Sequence, residues 1–115
     1  MIEKKIKNYL EKALKVPVWV EHREDEPDSF IIFEKTGGYV KNTINHSTYA
    51  FQSYGKTLTE ALKLNDKLLG YMMIFEDANV KLNSNYNFTD TSTKKYRYQA
   101  ILELIYWERI FYGEY

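Results

Sequence analysis

The chain has 115 residues, with 16 Lys+Arg against 16 Asp+Glu for a formal net charge of zero, and no cysteine. That length fits a single domain, residues 1–115, with a core large enough to need no staples. Balanced charge argues against duplex nucleic acid as a partner, because neutralising phosphates takes a cationic face, and the missing thiols exclude disulfide scaffolds and thiolate metal sites.

Residues 2–15 read as an amphipathic helix: Ile2, Ile6, Tyr9, Leu10, Ala13 and Leu14 recur at three- and four-residue steps. The start, Met1-Ile2-Glu3-Lys4-Lys5, lacks the apolar core of a signal peptide, and no run is long enough to span a bilayer, so intracellular synthesis and no membrane partner are expected. Pro17 stops the helix. Val18 to Arg23 alternates as a strand, and Glu24-Asp25-Glu26-Pro27-Asp28 reads as an acidic turn. Phe30 to Lys35 is a second strand, and Gly37-Gly38 offers the positive φ angles of a tight turn. Tyr39 to His46 reads as a loop and Thr48 to Tyr54 as a third strand.

Thr57-Leu58-Thr59-Glu60 is a capping box. Behind it Leu58, Ala61, Leu62, Asn65, Leu68, Leu69 and Met72 form an apolar stripe, which predicts a core-packed helix to about Met73 with Leu62 facing Leu102. Val80, Leu82 and Ser84 mark a short fourth strand and Tyr96 to Trp107 a long final one. Tyr96, Tyr98, Ala100, Leu102, Leu104 and Tyr106 share one face of that strand; Arg97, Gln99, Ile101, Glu103, Ile105 and Trp107 share the other. The expected architecture is α+β: a mostly antiparallel sheet of about five strands with two helices on one face, in the order α-β-β-β-α-β-β. The second sheet face then carries Trp19, Ile32 or Phe33, Ile101, Ile105 and Trp107, more apolar surface than a monomer leaves open, which predicts cover from another chain.

Catalytic patterns are absent. His22 with Glu21 and Glu24 is read as solvated residues at a strand end rather than a metal site, and Ser29, Ser47 and Ser53 lack a glycine-framed elbow. Ser92-Thr93-Lys94 has no Gly-x-x-x-x-Gly and is followed by a strand where a phosphate loop needs a helix. No cofactor and no metal are expected. Asn45-His46-Ser47 and Asn87-Phe88-Thr89 match the glycosylation pattern by chance. Residues 85–95 predict a hairpin-like loop ordered mainly by a neighbouring subunit. Among the eleven tyrosines, Tyr39, Tyr86, Tyr96, Tyr112 and Tyr115 fit an interface better than a strand interior.

Three groups of segments, Glu34-Lys35-Thr36-Gly37-Gly38, Gln52-Ser53-Tyr54-Gly55-Lys56 with Glu60-Ala61, and Leu82 to Asp90 through Lys95 to Gln99, together resemble small tail-assembly proteins of tailed phages and prophages of Gram-positive bacteria. The nearest group is the tail terminator and tail-to-head joining family with the lambda-type terminator fold. The resemblance spans about residues 15–107 and is most specific within 82–99. It implies a structural, non-enzymatic protein that forms a homo-oligomeric ring, a hexamer, on the head-proximal end of the tail tube. Its implied partners are the tail tube protein and a neck or head-completion protein, with assembly in the host cytoplasm and a final place in the virion. Head closure, another minor neck role, or a small ligand-binding or enzymatic α+β domain are the alternatives. Candidate subunit or partner contacts are Tyr86, Phe88, Asp90, Thr91 and Lys94 in the polar hairpin. Tyr96, Arg97, Ile105 and Trp107 on the last strand complete the set.

Overall fold

The computed structural model describes residues 1–108; Tyr112 and Tyr115 lie outside them, as does the segment after Glu108. Helix α1 (Ile2–Leu14) buries Ile2, Ile6 and Leu10 and ends in a left-handed Lys15, whose N–H reaches the Glu11 carbonyl at 3.0 Å. Pro17 follows, and its carbonyl accepts from the Ile31 N–H at 2.9 Å. Strand β1 is only Val18–Trp19, paired parallel to Ile31 and Ile32 of β2 (Phe30–Lys41). The predicted strand to Arg23 is cut short. Glu26 accepts from both the Arg23 N–H and His22 Nδ1, closing a local turn that draws the chain off the sheet edge.

Strand β2 continues through Gly37 and Gly38, where a turn was predicted, and β3 (Ile44–Gly55) begins inside the predicted loop. The reversal is made by Asn42 and Thr43, both at positive φ (52° and 65°), the requirement of a two-residue hairpin turn. Both glycines instead pair in the ladder, Gly37 with Thr48 and Gly38 with Ser47, just past a bulge at Thr36. Gly38 sits at φ 147°, and a Cβ there would stand 2.4 Å from the His46 carbonyl oxygen.

Helix α2 (Leu58–Met73) starts where the capping box places it, with the Glu60 N–H donating to Thr57 Oγ1 at 3.2 Å. Its buried ridge is Ala61, Leu64, Asn65, Leu68 and Met72. Leu62 is therefore not a core partner of Leu102: it is 37% exposed, because one residue beyond Ala61 the helix has turned about 100° away from the sheet. Strand β4 (Asn79–Asn87) is longer than predicted, and β5 (Tyr96–Trp107) matches its predicted span.

The five strands lie in the order β1-β2-β3-β5-β4, antiparallel except for β1 with β2. Both helices pack on one face, against Ile31, Phe33, Tyr49, Phe51, Ala100, Leu102, Leu104 and Tyr106. This is the expected α+β architecture, with the faces of β5 as predicted. Within that core Asn65, fully buried, exchanges two amide hydrogen bonds with Asn85 of β4 at 2.9 and 2.8 Å, and Asn85 also donates to the Gln99 carbonyl at 3.0 Å. The pair pins the outermost strand to α2. Asn65→Ala removes both bonds and leaves a void, so chemical denaturation should show a loss of about 1–3 kcal/mol. A double-mutant cycle with Asn85→Ala should show strongly non-additive losses.

Candidate functional site

The sheet face turned away from the helices carries most of the candidate residues, and its two ends differ. At the end nearest β1, Phe30, Ile32 and Tyr54 are buried and Trp19 packs against them, a small second core. Cross-strand pairing puts Phe30 beside Tyr54 with rings stacked at 4.4 Å. The 20–29 connection crosses this end and sets His22 edge-on to Tyr54 at 5.6 Å. Part of the apolar face is thus covered by the chain's own residues, where cover from another chain was expected.

A polar network runs across the same end. Glu26 accepts from His22 Nδ1 at 2.6 Å, and His22 Nε2 lies 3.3 Å from the Tyr54 hydroxyl. Burial opposes ionisation of Glu26, but the Arg23 N–H and His22 outweigh it and hold the carboxyl below its ordinary range. Arg97 Nη1 donates to the Tyr54 oxygen at 2.9 Å, and Gln52 lies within reach of the same hydroxyl at 3.2 Å. Gln52 donates to Gln99 at 2.8 Å, and Gln99 donates to the Tyr86 hydroxyl. Carboxylate, imidazole and phenol follow one another as in a proton relay. The phenol at its end is 3% exposed and already engaged by Arg97 and Gln52, so the arrangement acts as a clamp between the 20–29 connection, β3, β5 and β4. His22 takes Glu26 as its partner, not Glu21 or Glu24.

The hairpin between β4 and β5 carries its own ordering contacts. The Phe88 N–H donates to the Arg97 carbonyl at 2.9 Å, Arg97 Nε donates back to the Phe88 carbonyl at 2.7 Å, and the guanidinium lies 4.6 Å over the Phe88 ring. Tyr86 meets Phe88 edge-on at 5.9 Å. The Asp90 carboxylate accepts from the Ser92 N–H and hydroxyl at 3.0 and 2.7 Å, and the Asp90 N–H donates to the Lys95 carbonyl at 3.3 Å. The serine bonds, with Thr93, hold its carboxyl below the usual carboxylate range. Thr91 is exposed at the tip, and Lys94 takes a left-handed φ of 54°. The predicted hairpin is present, and these bonds tie its two arms together within the chain.

Of the predicted contacts, Tyr86, Phe88 and Arg97 form one cluster. Lys94 and Tyr96 line a cleft of about 350 Å³ with Glu24, Glu26, Asp28 and Lys56, where an acidic connection faces three lysines including Lys95. Ile105 and Trp107 lie elsewhere. They sit at the opposite end of β5, about 30 Å from Arg97 at roughly 3.3 Å per residue. Ile105 is half-buried between His46 and Asn79, and Trp107, paired with Ile44, is 64% exposed. Tyr39, 58% exposed, stacks on His46 at 4.6 Å beside them. Sequence reading missed His22, Glu26, Tyr54, Gln52 and Gln99 as a group. Only the Gln52 and Gln99 spacing within alternating strands hinted that they share a face. Among the described residues no three His, Asp or Glu side chains are grouped to hold a metal ion. No known family model matches the chain, and no curated protein is significantly similar to it.

Proposed function

We propose that this chain is a structural assembly protein that forms a homo-oligomeric ring, of the tail terminator or tail-to-head joining kind. In that role it caps the tail tube of a tailed phage and offers a surface to the neck. The observation that carries the reading is the half-open sheet: two helices cover one face, the 19–30 segment covers one end of the other, and the far end keeps Trp107 exposed beside Ile105, Ile44 and Tyr39. An exposed tryptophan on a partly apolar sheet face suits burial against a neighbouring subunit. The resemblance of residues 82–99 to tail-assembly proteins supplies the biological setting.

Light scattering of the purified chain, with negative-stain imaging of mixtures with tail tubes, tests the reading. Trp107→Ala should stay folded and lose ring formation, since truncating a central interface aromatic costs about 2 kcal/mol or more, roughly a thirtyfold loss in affinity. Raising salt from about 0.1 to 1 M should leave native rings intact, because apolar contacts are not screened. A native chain that stays monomeric at high concentration, or that turns over or tightly binds a small molecule in the Glu24–Lys94 cleft, overturns the reading in favour of a ligand-binding domain.

A further inference from the structure

Two strand edges of this sheet have no described neighbour. Strand β4 borders β5 on one side only, over its whole length from Asn79 to Asn87. Strand β2 is covered by β1 only at Ile31 and Ile32, which leaves Phe33 to Lys41 open. Each open edge presents alternate backbone N–H and C=O groups that a protein normally hides, blunts or pairs. The blunting is slight: β4 carries one charge, Lys81, and no proline in nine residues.

The two edges match in height and direction. Following the registers across the sheet, Asn79 is level with Ile105, His46 and Tyr39; Leu82 with Leu102, Tyr49 and Lys35; and Asn85 with Ala100, Phe51 and Phe33. The open part of β2 and the open edge of β4 therefore span the same rungs. Strand β2 runs antiparallel to β3, β3 to β5 and β5 to β4, so β2 and β4 run in opposite directions. A copy rotated about an axis near the strand direction brings its β4 alongside the first copy's β2 in antiparallel orientation, without sliding along the strands.

Their irregularities match as well. The bulge in β4 lies between Leu82 and Ser84 and that in β2 between Lys35 and Gly37, one rung apart in height, so both edges bend at the same level. On the outer face Lys81 of one edge and Glu34 of the other stand close in height, which makes an opposite-charge diagonal pair.

From these matches we infer that the edge of β4 pairs antiparallel with the Phe33–Lys41 edge of β2 on the next copy, extending the sheet from subunit to subunit. Such a contact joins different surfaces of the two copies, and repeated by rotation it closes a ring. The inference rests on the ring reading above and names the backbone contact that builds the ring.

The chain has no native cysteine, so introduced thiols report cleanly. Full-length protein carrying Lys35→Cys with Leu82→Cys, positions exposed in one copy, should give under mild oxidation a ladder of covalent multimers on denaturing gels. Glu34→Cys with Lys81→Cys covers a register offset by two rungs. Leu82→Cys alone, and Lys12→Cys with Leu82→Cys, should give no ladder. Leu82→Lys, which opposes a second cation to Lys35, should keep the native melting temperature and weaken self-association by about tenfold or more. Rings that form while neither cysteine pair links overturn the edge pairing and leave the ring reading standing. Efficient dimers from Leu82→Cys alone overturn it in favour of β4 pairing with β4. A native chain that never leaves the monomer overturns both.

Discussion

Leu102→Ala is expected to cost about 2–5 kcal/mol, a large share of the stability of a domain this size. Leu102 is fully buried in the middle of β5, flanked by Tyr49 of β3 and Leu82 of β4, and shares the core with Leu64 and Leu68 of α2. Truncation removes apolar burial and leaves a cavity among neighbours held by two strand ladders, so little collapse can refill it. Denaturant unfolding should show a lower midpoint with an unchanged slope. Leu62→Ala serves as the contrast. At 37% exposure and on the wrong side of α2, it should lose only a small fraction as much. Equal losses at the two positions would mean that the helix is rotated from the arrangement described.

Gly55→Ala is expected to be nearly as damaging, for a different reason. Gly55 ends β3 directly beneath the first turn of α2. A Cβ there would stand 2.4 Å from the Ala61 nitrogen and 2.8 Å from the Glu60 carbonyl carbon, both backbone atoms. No side-chain rotation can relieve such contacts. The turn above is held by the Ala61 N–H on the Thr57 carbonyl at 3.0 Å and by the Thr57 cap on Glu60, so either the helix start or the strand end must move. Overpacking of this kind costs roughly 1–3 kcal/mol and sometimes more. Gly70→Ala meets open space inside the same helix and should raise the melting temperature, since alanine is favoured over glycine there by about 1 kcal/mol. Opposite signs at the two glycines are the expected outcome, read by thermal unfolding; a neutral Gly55→Ala would contradict the close helix–strand approach.

Part of the fold was legible from local chemistry. The end of α1 before Pro17, the start of α2 at Thr57 and the alternation that divides β5 into core and outer faces depend on residues within a turn or a strand of each other, where propensity, capping and periodicity act directly. The element order and the placing of both helices on one sheet face follow from those local patterns and from short connections. Tertiary structure decided the rest. Gly37-Gly38 has the composition of a turn, yet the partner strand took both glycines into the ladder and moved the reversal to Asn42-Thr43, because the hairpin register is set by side chains such as Phe33 opposite Phe51 seeking the core. The phase of α2 was settled by the sheet beneath it, which took Leu64 and left Leu62 outside. The clamp from Glu26 through His22 and Tyr54 to Arg97 joins residues up to 75 positions apart in the chain (97 − 22), from segments that read separately as a turn and three strands. Nothing in their own neighbourhoods marks them as partners, and neither does anything local reveal that the free edges of β2 and β4 stand at one height. Long-range hydrogen bonding and register exist only once the sheet has formed, so pattern along the chain determined the elements, and the packing of distant strands determined the surface.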